Sequence, residues 1–334
     1  MKLAAVSVTR QGDNIAKKLS ETLELKLYSS YNNKNFKLKS VCEELMNTVD
    51  GIIFISSTGI AVRGIAPFLK GKDKDPAVVV VDCESRFAIS LAGGHLGGAN
   101  ELALKVSEIL KATPVITTAT DTMGIDAPDM IAKNNNLIID DMKIAKDIAA
   151  KLVDKAKVGF LDDEGQIKMP KGYVIPEGDI KGMVTVSNKI DVDNLPPVEG
   201  LIHLKLIRRN IILGMGCRKD VDKDKVKNFV VDTLKKYNID LRAIKTISTV
   251  EVKKNEGALI ALSEFLNCHM EIHSLKEIES IEHKYNGSDF VKKSIGVRAV
   301  CEPCVELAGG ELLTDKIRYN PLYWKVSLLI MEEK

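Results

Sequence analysis

Gly93-Gly94-His95-Leu96-Gly97-Gly98-Ala99-Asn100 is the stretch on which the reading of this chain turns. It sits between an apolar run, Phe87 to Ala92, and a segment in which Leu102, Val106, Ile109 and Leu110 mark one helical face. A strand that ends in glycines and restarts as a helix leaves backbone N–H groups facing whatever lies above it. Glycines there carry no Cβ, so a large flat or anionic ligand can approach the main chain. His95 is the one group of the stretch that can move a proton near neutral pH. The competing reading is a tight turn that needs positive φ and carries an incidental histidine.

Working outward, the same strand–turn–helix pattern repeats. Leu3 to Val8 reads as a buried strand, and a helix follows with Ile15, Leu19 and Leu23 on its apolar face; a second helix carries Val41, Leu45 and Val49. Gly51 to Thr58 is an apolar strand ending in small hydroxyl residues, followed by the turn Gly59 to Gly64. Ala77 to Val81 is a further strand, and Val115-Ile116 leads into Thr117-Thr118-Ala119-Thr120-Asp121. Nearly all-apolar strands alternating with helices predict a parallel sheet covered on both faces. In such sheets ligands collect at the carboxyl ends of the strands. The turns after Ser57, Ala92 and Thr117 are therefore expected on one common edge.

The pattern changes near Asp140. A helix from Ile144 to Val153 precedes short predicted strands at Val158–Leu161, Gly172–Ile175 and Met183–Val186, and the segment ends near Pro196-Pro197. A third unit opens at Asn210-Ile-Ile-Leu-Gly214-Met215-Gly216-Cys217-Arg218, read as a strand feeding a glycine turn. A helix then carries Val226, Phe229, Val230 and Leu234; Ala243–Val250, a helix through Leu259 and Leu266, and Met270–Ile272 continue the alternation. The expected fold class is α/β, with three-layer, mostly parallel sheets in the N- and C-terminal domains joined by a small α+β central domain. The expected boundaries are 1–138, 139–207 and 208–334.

The 334 residues are 45% hydrophobic and 28% charged with a net charge of +2, which gives no global field toward nucleic acid or membranes. With a single tryptophan, Trp324, base-stacking platforms are not expected. No run approaches about 18 apolar residues, so no membrane span is expected, and Met1 to Arg10 does not read as a secretory leader. Six scattered cysteines fit free thiols and a cytoplasmic location.

Cys301-x-x-Cys304 with His269 and His273 has the look of half a zinc site or a redox pair, but no second such pair exists and Pro303 marks a helix start. Packing is the expected role, and no metal site is assigned. Gly214 to Arg218 resembles half a dinucleotide fingerprint without its third glycine; amides at Gly214 and Gly216, with the Arg218 guanidinium, suit a carboxylate better, and the competing reading is a surface arginine at a helix start. Lys253, Lys254 and Glu256 read as charges at a helix start. There is no phosphate-loop, nucleophile-elbow or His-Glu-x-x-His motif.

Taken together, the Gly93–Asn100 run and Pro114 to Asp121 closely resemble the cobalt-precorrin-5A hydrolase family of anaerobic cobalamin biosynthesis. Ser57 to Arg63 looks like the family's preceding block, and Gly214 to Arg218 is similar to the opening of its C-terminal domain. Thr249, Glu251, Lys253 and Glu256 resemble that domain's second block, and Glu302 with Lys316 its last. The resemblance spans essentially the whole chain. It departs at Cys301 and Cys304, where small residues are usual.

The resemblance implies opening of a δ-lactone on a contracted cobalt macrocycle and release of a two-carbon fragment as acetaldehyde, giving cobalt-precorrin-5B. On this basis His95 and Asp121 are the expected catalytic residues, with amides of the Gly93–Gly98 loop as oxyanion donors. Thr58, Gly59, Arg63, Gly93, Gly94, Gly97, Gly98, Asn100, Thr117, Thr118, Thr120, Gly214, Gly216, Arg218, Lys253 and Glu302 are the expected substrate-binding residues. No cofactor of the chain's own is expected, since cobalt arrives with the substrate and the macrocycle can serve as electron sink. Expected partners are the cobalt-corrinoid, a second copy of the chain, and neighbouring pathway enzymes at hand-over, with no nucleic acid or membrane. A non-catalytic tetrapyrrole carrier and a nucleotide-binding α/β enzyme are the alternatives.

Overall fold

The computed structural model describes residues 1–71, 74–192, 200–319 and 326–333; the Pro196-Pro197 boundary and Trp324 lie outside them. In chain order the first elements are β1 (Leu3–Ser7), α1 (Arg10–Ser20), β2 (Leu25–Ser29), α2 (Leu38–Thr48), β3 (Gly51–Ile55), α3 (Thr58–Ile65), β4 (Ala77–Val81), β5 (Phe87–Ala92), α4 (Ala99–Leu110), β6 (Thr113–Val115), α5 (Ala119–Thr122) and α6 (Pro128–Asn134). There follow β7 (Ile138–Ile139), α7 (Met142–Val153), β8 (Val158–Asp162), β9 (Gly182–Ser187) and β10 (Ile202–Ile207). The last are β11 (Ile211–Cys217), α8 (Lys223–Lys236), β12 (Ile244–Val250), α9 (Gly257–Leu266), β13 (His269–His273), α10 (Leu275–Ile281), α11 (Asp289–Ile295), α12 (Cys301–Leu307), β14 (Gly310–Leu312), β15 (Ile317–Tyr319) and β16 (Val326–Glu333). No helix among the described residues is long and apolar enough to cross a membrane.

The described chain gathers into two compact units. One holds 1–133 with 149–156 and 170–172, and the other 134–148, 157–169 and 173–334. Of the three sheets, the second and third share a unit.

The first unit is a six-stranded sheet in the order β2-β1-β3-β4-β5-β6. Its strands are apolar on both faces because both faces are covered. Ala5, Ile53, Ile55, Val79 and Val81 pack with Ile15, Leu19, Leu102 and Val106 of α1 and α4. The alternate residues Ala4, Val6, Ile52, Phe54, Val78 and Val80 pack with Leu45, Met46, Ala61 and Ile65 of α2 and α3. β1 to β4 pair in parallel, as expected. β5 does not: it runs antiparallel to β4, with Val78 opposite Ala92 and Val81 opposite Ala88, and β6 runs parallel to β5. Five residues join Val81 to Phe87, too few for a crossover but ample for a hairpin. Asp82 pins that turn by accepting from the amides of Arg86 and Phe87, both at 2.8 Å.

The second unit carries a sheet ordered β7-β10-β9-β8 and another ordered β13-β12-β11-β16-β14, with β15 beside β16. In the former, β8, β9 and β10 run parallel and β7 opposes them. In the latter, β11, β12 and β13 are parallel, while β16 runs antiparallel to β11. The strand expected at Gly172–Ile175 is reduced to a single bridge, Gly159 to Val174. Gly172 at φ +92° and Pro176 bracket it and leave no ladder to extend. Side chains tie the two sheets together: Lys205 Nζ of β10 donates to Asp240 Oδ2 at 2.9 Å, and Asn188 Nδ2 to Asn210 Oδ1 at 3.1 Å.

Candidate active site

The glycine loop is tight, and its geometry explains each glycine. Gly93 and Gly98 have φ of +67° and +86°. A Cβ on Gly93 would meet Pro76 O at 2.5 Å, and one on Gly97 would meet Asp75 O and Gly93 O at 2.8 Å. One on Gly94 would lie 3.1 Å from Asn100 Oδ1, and one on Gly98 3.6 Å from Lys133 Nζ. At Gly93 and Gly97 the space left by the missing side chain is thus occupied by backbone of the chain itself. The Gly98 amide is also spent, donating to His95 O at 2.9 Å, and the Ala99 and Asn100 amides donate to Gly93 O and Gly94 O. The amides of Gly93, Gly94, His95, Leu96 and Gly97 find no acceptor among the described residues, and these are the loop's available donors.

The loop turns His95 toward the segment after β6. There α5, a single turn, presents Thr120 and Asp121, and α6 opens at Pro128 with Asp129 in its first turn. His95 lies between two carboxylates: Nε2 is 2.8 Å from Asp121 Oδ2, and Nδ1 is 3.2 Å from Asp129 Oδ2. Thr120 Oγ1 is 3.3 Å from Nε2. Lys133, one turn along α6 from Asp129, donates to His95 O at 3.3 Å and to Glu101 at 3.2 Å. The His95 side chain is 15% exposed and Asp129 23%, against 41% for Asp121, so the open side of the ring is the Nε2 side. The hydrogen bond that the ring donates to Asp129 raises the His95 pKa above its ordinary value; burial opposes this and Asp121 adds to it. Burial pushes the Asp129 carboxyl up, yet its hydrogen bond and attraction to His95 prevail and hold it below the usual carboxylate range.

Asn100 is 7% exposed and acts as a bracket inside the protein. It accepts from Ser90 Oγ at 2.6 Å and donates to Thr118 Oγ1 at 3.1 Å and Asp121 Oδ2 at 3.0 Å. These bonds fix the Asp121 carboxylate. Thr117 is exposed at the rim. The structure therefore brings together His95, Asp121, Asn100, Thr118 and Thr120, and adds Asp129, Lys133 and Ser90, which sequence reasoning did not single out. Asp129 carried one signal, an acidic residue directly after a helix-opening proline.

Thr58, Gly59 and Arg63 do not join this group. They follow β3, whose C-terminal end lies at the opposite edge of the sheet from that of the reversed β5. Five residues at about 3.3 Å each separate the two edges by roughly 16 Å. Arg63 is exposed and folds back over Gly59, where a Cβ would lie 3.6 Å from its guanidinium.

In the second unit the expected glycine turn is strand, since β11 runs through Gly214 and Gly216 to Cys217. A Cβ on Gly214 would strike Val305 Cγ2 at 2.2 Å and Cys301 O at 2.8 Å, and one on Gly216 would meet Cys301 Sγ at 3.3 Å. Both glycines admit α12 against β11. Arg218 is exposed. Lys253 Nζ is 3.5 Å from Glu256 Oε2, and Lys316 Nζ 2.8 Å from Glu302 Oε2, so Lys253 and Glu302 are held in ion pairs. Cys301 and Cys304 are buried in apolar clusters, and burial raises both thiols, Cys301 to about 12. His269 and His273 bond to Thr246 and Ser248 at 3.1 and 3.0 Å.

The family model for the N-terminal region of cobalamin synthesis protein G matches residues 40–121, and that for its C-terminus matches 211–325. A cobalt-precorrin-5A hydrolase of Salmonella typhimurium is 32% identical over 95% of this chain and 94% of its own length. One from Priestia megaterium is 28% identical over 92% and 89%. A crystal structure of a cobalamin biosynthesis protein G homolog from Sulfolobus solfataricus is 20% identical, with a TM-score of 0.42 over 100% of this chain and 97% of the other.

Proposed function

Since the chain belongs to the cobalt-precorrin-5A hydrolase family, we propose that it opens the δ-lactone of cobalt-precorrin-5A and releases acetaldehyde, with the proton transfers carried by His95 and Asp121. The observation that carries this reading is the imidazole held between two carboxylates, with its Nε2 side the more open.

The chemistry follows from that placement. Water adds to the lactone carbonyl, and its proton passes to the Asp121–His95 pair. The oxyanion so formed needs fixed donors, and the uncommitted amides from Gly93 to Gly97 are suited to the task. As the ring C–O bond breaks, His95 returns the proton to the departing oxygen. The freed alcohol then gives its proton to the His95–Asp121 pair while its carbon leaves as the aldehyde, and the electron pair of the broken C–C bond passes into the conjugated macrocycle. Lys133, a partly exposed cation beside the ring, is suited to meeting an acidic substituent of the substrate. The reading implies a chain without a cofactor of its own, working in the cytoplasm as a homodimer that hands its product to a neighbouring enzyme.

The test is anaerobic incubation with cobalt-precorrin-5A while acetaldehyde is trapped. Wild type should release it stoichiometrically, and His95→Gln about a hundred- to ten-thousand-fold more slowly with little change in KM. A wild-type rate in His95→Gln removes the assignment; binding of the macrocycle without acetaldehyde marks a carrier.

A further inference from the structure

We propose that Asp129 is the positioning residue of this site: it holds the His95 ring in one tautomer and one orientation, so that Nε2 is the nitrogen that faces the substrate. This deepens the reading above and rests on it for its catalytic meaning.

The argument begins with the two carboxylates being unequal. Asp121 is anchored by Asn100 and exposed on its outer side, whereas Asp129 is more enclosed and sits on the first turn of α6. An Asp129 Oδ1 contact with the Met130 amide at 3.0 Å fixes its carboxylate plane, leaving Oδ2 for His95. Ionised carboxylates only accept, so the charged ring donates from Nδ1 to Asp129 and from Nε2 to Asp121; the Nε2 proton, on the more open side, is the one the ring gives up, and the more enclosed Asp129 retains the one on Nδ1. When His95 is neutral its lone pair is then on Nε2, beside Asp121 and Thr120. The same helix fixes the backbone of His95 through Lys133, so α6 holds the residue by ring and by carbonyl. The groups that face the ring are Asp121 and Thr120 from α5 and Asp129 from α6. Lys133 and Asn100 stand behind them, and Glu101 pairs with Lys133.

Asp129→Asn removes the charge and lets an amide N–H2 turn toward Nδ1, which moves the ring proton to Nε2. The full-length wild type and this variant are compared by nitrogen-15 NMR of the His95 imidazole across pH, with acetaldehyde release measured in parallel. The expected result is a lower His95 titration midpoint and a shift toward the Nε2–H form. It is accompanied by a fall in kcat of about a hundredfold or more with KM little changed. Asp129→Glu, which restores the carboxylate, should recover the tautomer and part of the rate, and serves as the comparison should the amide variant not fold. An unchanged midpoint and tautomer in Asp129→Asn, or a Glu variant no closer to wild type than the Asn variant, overturns the proposal whatever the activity. A changed tautomer alongside a His95→Gln enzyme that still turns over leaves the positioning intact and overturns the catalytic reading of His95.

Discussion

Arg63 and His95 leave the same sheet at opposite edges, because β4 and β5 pair antiparallel where the rest of the strands before them pair in parallel. One arginine and one histidine that a simple parallel sheet would place side by side are thereby separated by the length of a strand. Each consequence of the site's geometry is open to measurement.

Arg63→Ala should leave turnover and KM within about twofold of wild type, since the side chain is exposed and remote from the imidazole within its own unit. Steady-state kinetics with cobalt-precorrin-5A check this. A KM raised tenfold or more would return α3 to the substrate site.

His95 makes stability depend on pH in a defined direction. Its folded pKa is raised above the ordinary 6.5, so its charged pairing stabilises fully below that value and is lost as pH rises through the folded pKa. Asp129, held below its ordinary 3.8, contributes above that value and loses its share as pH falls through its own folded pKa. The stability gap between wild type and His95→Gln should therefore be widest in the mildly acidic range and narrow toward alkaline pH. Urea denaturation at a series of pH values reads it; a gap that widens as pH rises contradicts the pairing.

Glu164 behaves in the opposite sense for a carboxylate. Burial raises it to about 7, Arg208 works against this, and the neighbouring Glu332 adds to it. A folded pKa above the unfolded 4.5 means that its stabilising protonation is complete below 4.5 and lost as pH rises toward 7. Glu164→Gln, which keeps a neutral group beside Asn210 and Arg208, should be more stable than wild type at about pH 8 and show little advantage at about pH 4. Thermal denaturation at both values distinguishes this from a variant that is simply worse everywhere.

Gly214→Ala should cost about 1–3 kcal/mol, because the added methyl meets Val305 at 2.2 Å and the Cys301 carbonyl at 2.8 Å and α12 must move away from β11. Chemical denaturation measures the loss. A neutral substitution would show that α12 is not seated on that strand and would reopen the glycine for ligand approach.

Much of the fold was legible along the chain because burial on both faces of a sheet leaves continuous apolar strands, as at Ile52 to Ile55 and Val78 to Val81. The reversal at β5 was also written there, in the five-residue connection from Val81 to Phe87, but the hydrophobic pattern is the same for a strand of either direction. The surroundings of the glycines were not legible for a related reason. A missing Cβ is visible in a sequence, whereas what fills the vacancy is not: at Gly93 and Gly97 it is backbone, at Gly214 a helix. Asp129 was passed over because an acidic residue in a first helical turn has an ordinary explanation in the helix dipole.

By itself the sequence determined most of the strand and helix segments, the histidine as the candidate proton carrier and the family, since each depends on residue type and spacing along the chain. Only the tertiary structure decided which segments share an edge, which polar atoms remain uncommitted, and that Asp121 and Asp129 close on the two nitrogens of one ring. Those are matters of strand direction and of distances between residues 26 and 34 positions from His95, and local preference carries no information about either.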